Sequence, residues 1–293
     1  MQWQPDWGLR ARMMLTMFLL FALYIVFAGV ITAYVGGGLF VFALLFGGMS
    51  MVQYYFSDTL ALRSMGAKEV SAEEYPQLHA SIERLSQQAD LPKPKVAVMD
   101  TNVPNAFATG RNQRNAAVAV TTGLMRTLDA DELDGVIAHE LAHVKNRDMM
   151  VMTIASFLST IAFMMVRWGA LFGGGRRGGR GGGGIVVAIL VSLIVWIISY
   201  LLIRALSRYR EFAADRGAAA ITGNPAALAS ALLKISGEME KVPKTDMREE
   251  AEMNAFFIIP IRSGVVGRLF STHPATERRV EQLQNLEREM ASA

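Results

Sequence analysis

The chain has 293 residues, 52% of them hydrophobic and 19% charged, with a formal net charge of +3 and no cysteine. Its positive mean hydropathy sets it apart from an ordinary water-soluble globule, and the missing cysteines exclude disulfides and cysteine-ligated zinc. So mild a charge gives no nucleic-acid face; the basic residues gather beside apolar runs, where they suit anionic lipid.

From the N-terminus, no charged residue occurs between 13 and 57, and Gly36-Gly37-Gly38 divides this run into segments 13–35 and 39–56. Each is about the length that crosses a ~30 Å hydrocarbon core. The first is too long for a signal-peptide core and is followed at once by the second, so it is expected to be retained. Arg10 and Arg12 precede the pair, and Arg63 and Lys68 follow it, which puts both ends of the hairpin in the cytoplasm.

Residues 58–148 read as the first part of a cytoplasmic domain. The pattern predicts a helix over 73–89, with His79 on its solvated face, then short strands at 95–99, 105–109 and 116–122. Asp129, with Glu132 three residues on, has the form of a capping box that opens a helix. That helix carries His139-Glu140-Leu141-Ala142-His143. Four residues make about one turn, so both imidazoles project from one face and can hold one zinc ion. Glu140 stands beside them to take a proton from the attacking water. The plainer reading is two surface histidines with a carboxylate partner. Against it, Gly135, Val136, Ile137, Ala138, Leu141, Ala142 and Val144 make the helix apolar, and buried imidazoles need partners.

A second pair of apolar spans follows at 149–166 and 185–203, flanked by Lys145 and Arg147 before and by Arg204, Arg208 and Arg210 after. The connection 173–184, rich in glycine with Arg176, Arg177 and Arg180, then lies outside, against the positive-inside tendency, unless the pair inserts shallowly beside the catalytic domain; full spanning is the favoured reading, and the connection reads as a flexible loop, not a nucleic-acid tract. No span has an interior acid or histidine to mark an ion path, which argues against a transporter. Residues 204–293 complete the cytoplasmic domain. There Phe256-Phe257-Ile258-Ile259-Pro260-Ile261 lines a cleft, touches lipid or fills the core, and Pro274 opens a helix whose face is Val280, Leu283 and Leu286.

A hydrolytic zinc site needs a third protein ligand. A third histidine six residues on is excluded, because that position is Met149 and the glycine expected midway is Asn146. Just after the fourth span, Glu211 and Asp215 lie one turn apart among Arg208, Arg210 and Arg216. A glutamate there can ligate zinc and an aspartate can accept the second N–H of a liganding histidine. The same spacing equally describes surface ion pairs, and it does not decide between them.

Taken together, Asn105-Ala106-Phe107-Ala108-Thr109-Gly110, His139–His143, Glu211–Asp215 and Ser271-Thr272-His273-Pro274-Ala275-Thr276-Glu277-Arg278-Arg279, in this order and between these apolar pairs, resemble the HtpX group of membrane-bound zinc metalloproteases, relatives of the CAAX prenyl proteases. The resemblance covers nearly the whole chain. It implies a mainly α membrane protein: four transmembrane helices plus a cytoplasmic thermolysin-like (gluzincin) α+β domain with a small sheet. One Zn²⁺ per chain would be held by His139, His143 and Glu211, with Asp215 behind His139 and Glu140 as general base. Asn105 and Ala106 would lie on an edge strand that pairs with extended substrate. His273 or Arg279 would stabilise the oxyanion, unless His273 only caps the helix after it.

The expected protein is therefore a multi-pass endopeptidase of the cell membrane, both termini and the catalytic domain cytoplasmic. At about 1.5 Å per helical residue its zinc would sit about 10 Å from the bilayer. Its partners are lipid and polypeptide, with membrane-protein quality control and stress response coming from the resemblance alone. A prenyl-peptide protease would need a larger membrane chamber than four spans provide. The remaining alternative is a catalytically silent chaperone or scaffold with structural zinc, which a closed four-ligand site would favour.

Overall fold

The computed structural model describes residues 7–35, 48, 55–148, 182–241 and 274–292. The expected spans 39–56 and 149–166, the loop 173–184, the run 256–261 and His273 lie wholly or mostly outside them. The chain divides into two compact units, one built from 7–55 and 150–206, the other from 1–6, 56–149 and 207–293.

The first unit contains α1 (Trp7–Val35) and the start of α6 (Gly182–Thr222). Among the described residues one stretch, Trp7–Phe27, is long and apolar enough to cross a membrane. Trp7, Met14, Phe18, Phe21 and Ile25 of α1 are exposed, while Leu9, Met13, Leu20 and Phe27 are buried, so apolar side chains cover every face of the helix. The helix starts earlier than the apolar run predicts and takes in the basic pair; Arg10 lies over the Trp7 ring, 5.0 Å from its centroid. Helix α6 covers the expected span 185–203 and continues unbroken through Glu211 and Asp215.

The second unit holds a mixed four-stranded sheet, β1 (Lys68–Glu69), β2 (Lys95–Met99), β3 (Ala106–Gly110) and β4 (Ala116–Thr121), in the order β1-β2-β4-β3. The predicted second and third strands end where they do because turns intervene. Gly110 takes φ +133, where a Cβ would meet the Asn115 carbonyl, and a short 3₁₀ turn then reverses the chain. Strands β2 and β4 pair in parallel, Val96 opposite Val118 and Val98 opposite Val120, and β4 is buried along its whole length. Strand β3 pairs antiparallel with β4 and forms one edge.

Helices α2 (Ser57–Ser64), α3 (Pro76–Gln88), α4 (Thr122–Thr127) and α5 (Ala130–Asn146) surround the sheet with α7 (Pro225–Lys241) and α8 (Thr276–Ala291). Proline at the first turn starts α3, and Leu78, Ile82 and Leu85 form the stripe that it buries on the side of α5. His79 departs from expectation: it is half-buried, with Nε2 3.1 Å from the Val70 carbonyl, and ties α3 to the loop before it. The predicted capping box is present, Glu132 N–H donating to Asp129 Oδ1 at 3.0 Å and Asp129 N–H to Glu132 Oε2 at 3.0 Å. The same Glu132 carboxylate accepts from Ser230 and Lys234 of α7, each at 2.6 Å. Helix α8 buries Val280 and Leu283 against α7, with Leu286 half-buried at the margin.

Helix α5 lies against α7 at Gly135, where a Cβ would come 3.1 Å from the backbone of Leu228. Gly135→Val should therefore cost about 1–3 kcal/mol through overpacking. Gly237→Ala, on α7 with nothing within 4 Å of the new methyl, should stabilise by about 0.5–1 kcal/mol. Thermal melts of the two variants in detergent check the pair; equal midpoints would contradict the close approach.

Candidate metal centre

The core helix α5 and the long helix α6 supply three donors. An apolar surround buries α5 from Gly135 to Val144, so both motif histidines are interior. Their rings stand edge to face, centroids 4.7 Å apart and planes at 85°. Glu211 of α6 closes the third side, with Oε2 3.6 Å from His139 Nε2 and Oε1 3.5 Å from His143 Nε2. One donor atom from each of His139, His143 and Glu211 lies within 4.8 Å of the others. Tetrahedral zinc at about 2.0–2.1 Å from its ligands sets neighbouring donors about 3.3 Å apart, so these separations fit.

The donor chemistry fits as well, because the far nitrogen of each ring is committed. His139 Nδ1 lies 3.0 Å from Asp215 Oδ1, and His143 Nδ1 lies 2.7 Å from Asp148 Oδ2. An Nδ1–H given to a carboxylate leaves Nε2 with its lone pair, the tautomer that a metal needs. Asp215 is itself gripped by Arg279, Nε to Oδ2 at 2.9 Å and Nη2 to Oδ1 at 2.7 Å, while Nη1 lies 3.4 Å from Glu211 Oε2. Arg279 is 1% exposed and its fork is filled by Asp215. In this structure Arg279 is a clamp on Asp215.

Glu140, one residue after His139, is buried and accepts the Ala108 N–H of β3 on Oε2 at 2.9 Å. Antiparallel strands turn alternate residues toward their partner. Asn105 binds Thr121 through both backbone groups, its N–H to Oγ1 at 2.9 Å and its carbonyl from the Thr121 N–H at 3.0 Å. Ala106 and Ala108 therefore direct their backbone groups away from β4, to the side where Glu140 stands. Of the two expected substrate contacts, Ala106 begins the edge strand and Asn105 just precedes it, facing β4.

Asp148 carries no signal in the helical pattern that located the other residues. It follows Arg147, which caps α5 in the left-handed conformation at φ 60, and this reversal returns the carboxylate to His143. The only cue in the sequence is an acid standing directly before an apolar span.

Electrostatics follow from burial and pairing. Burial pushes the Glu140 carboxyl up, past the opposing pull of His139 and His143. Burial also works to raise Asp215, but the Arg279 charge outweighs it and holds the carboxyl at about 2. At His143 burial opposes the cation, yet the Asp148 and Glu211 carboxylates prevail and raise the metal-free imidazole to about 10.

The sequence matches the model of peptidase family M48 over residues 72–287. It is 57% identical over 295 residues to "Protease HtpX homolog 2" of Methanosarcina mazei, covering 99% of each chain. It is also 57% identical to "Protease HtpX homolog" of Moorella thermoacetica, over 97% of this chain and 96% of that one, and 46% identical to "Protease HtpX homolog 1" of Streptomyces coelicolor, over 100% and 97%. Among solved structures, the crystal structure of S. mikatae Ste24p is similar in fold, with a TM-score of 0.57 and 16% identity; the match covers 94% of this chain and 66% of that one.

The raised His143 gives metal-free protein a signed pH dependence. A folded pKa near 10, against about 6.5 unfolded, adds stability that is complete below about pH 6.5 and lost as pH rises through 10. The depressed Asp215 adds stability that is present above about pH 4 and lost as pH falls toward 2. Melting temperatures measured in chelator should fall at both ends, and a profile flat from pH 6.5 to 10 would contradict the His143 pairing.

Proposed function

The chain belongs to peptidase family M48 and is a metalloprotease, and on that premise we propose that it is a membrane-tethered zinc endopeptidase cleaving unfolded or membrane-associated polypeptides at the cytoplasmic face of the cell membrane. The observation that carries this reading is the convergence of His139, His143 and Glu211 within 4.8 Å, with Glu140 buried beside them. Two imidazoles and one carboxylate are a donor set suited to zinc, and three protein ligands leave a position for chemistry. When bound, zinc supplies Lewis-acid polarisation of the scissile carbonyl and acidifies the attacking water.

The remaining work falls to the chain's own groups. Glu140 keeps Oε2 on the Ala108 N–H, which aims Oε1 as the proton acceptor. Its raised pKa lets it hold the proton taken from water and then pass it to the leaving amine nitrogen. With its N–H held by Glu140, Ala108 offers its carbonyl along the edge of β3, so an extended peptide pairs there as an added strand, its scissile bond set beside the base. Asp215, gripped by Arg279, keeps His139 aimed.

Four transmembrane helices, in hairpins over 1–57 and 149–203, tether a protease domain made of 58–148 and 204–293. Support for the tether is the apolar stretch Trp7–Phe27 and the apolar first half of α6, together with the apolar sequence at 39–56 and 149–166. Cytoplasmic orientation rests on the basic residues at the span ends. A catalytic domain so placed meets misfolded membrane proteins at the bilayer, which suits quality control under stress.

Glu140→Gln keeps an acceptor for the Ala108 N–H and leaves the donors in place. It should bind zinc like the parent chain while cleavage of an unfolded substrate in detergent falls by at least about 10²-fold; unchanged cleavage would remove Glu140 from the mechanism. His139→Ala should lose the metal too, seen as less than one zinc per chain after dialysis, and full retention would remove His139 from the ligand set.

A further inference from the structure

The family resemblance provides one carboxylate behind the metal donors, Asp215 behind His139. A second is present. Asp148 is fully buried, and its Oδ2 lies 2.7 Å from His143 Nδ1. The same oxygen is 3.1 Å from Nε of Arg210, an ion pair without hydrogen-bond geometry; Arg210 is also buried and comes from α6 one residue before Glu211. Asp148 Oδ1 has no hydrogen-bond partner among the described residues. The buried charge is therefore committed to two neighbours, a donor histidine and an arginine. A related arrangement surrounds the other ring, where His139 Nδ1 meets Asp215 and Arg279 donates two hydrogen bonds to Asp215.

We infer that Asp148, held by Arg210, is a positioning residue that fixes the tautomer and ring orientation of His143, so that the centre is aimed by two histidine–carboxylate–arginine relays. A surface ion pair would do little, but a buried carboxylate that accepts from a ligand's far N–H makes the imidazole a better donor and stops its rotation. Backbone geometry supports the assignment. Arg147 accepts a left-handed φ of 60, uncommon for a side chain of its kind, and that turn is what returns Asp148 to the ring.

The inference rests on the zinc reading above, and its test separates the two. Full-length wild type, Asp148→Ala and Asp148→Asn are purified in detergent and stripped of metal. Zinc affinity is measured by competition with a chromophoric chelator, and the visible spectrum is recorded with cobalt(II) in place of zinc. Asp148→Ala should weaken zinc roughly 10–100-fold and change the cobalt bands. Asp148→Asn, whose amide oxygen still accepts from Nδ1, should lose less zinc affinity than Asp148→Ala and shift the cobalt bands less. Wild-type affinity and an unchanged cobalt spectrum in both variants would overturn the positioning role. So would a loss of affinity that only follows a lowered metal-free melting temperature, with cobalt bands unmoved. A wild type that binds no zinc would overturn the zinc reading itself.

Discussion

Everything around the centre follows from one constraint: charged groups removed from water must find partners within the protein. Glu140, Asp148, Arg210, Glu211, Asp215 and Arg279 are all buried beside the two imidazoles. Each such ion costs several kcal/mol in desolvation unless paired and hydrogen-bonded, and removing one partner leaves another charge exposed to that cost. The pairs cross between elements distant in sequence. Asp215 belongs to α6 and Arg279 to α8, while Asp148 follows α5 and Arg210 is on α6. The site is therefore built from elements distant in the chain, and the C-terminal helix is as much part of the centre as the motif helix.

The same logic explains the geometry of α5. Its N-terminus is fixed twice, by the Asp129 cap and by the Glu132 contacts with Ser230 and Lys234. Its middle lies against α7 at Gly135, and its catalytic turn is tied to the sheet edge by the Ala108–Glu140 bond. Helix, neighbouring helix and strand thus hold Glu140 from three directions.

Much of this was legible in the sequence because local chemistry declared it. The cap at Asp129, the one-turn spacing of His139 and His143, and the strand over 95–99 all obey short-range rules. The pairing of Glu211 with the motif depended on the resemblance, since the spacing of Glu211 and Asp215 fits a surface ion pair as well as a ligand. Asp148 was not legible: its approach to His143 depends on a left-handed Arg147, a backbone state that residue type does not announce. Arg279 was visible as a residue near the site, but its partner was not, because a long guanidinium can reach either an oxyanion or a neighbouring acid. His79 was misplaced for a similar reason, a helix position giving no hint of the Val70 carbonyl beside it.

The central claim, that two histidines and one glutamate hold zinc with a position left open, is tested most directly by X-ray absorption at the zinc edge of the purified full-length protein. The account predicts one zinc with two imidazole nitrogens and oxygen neighbours at about 2.0–2.2 Å, one oxygen exchanging when a small zinc-binding inhibitor is added. A shell with one imidazole or with three, or a four-ligand shell that no inhibitor alters, would contradict it.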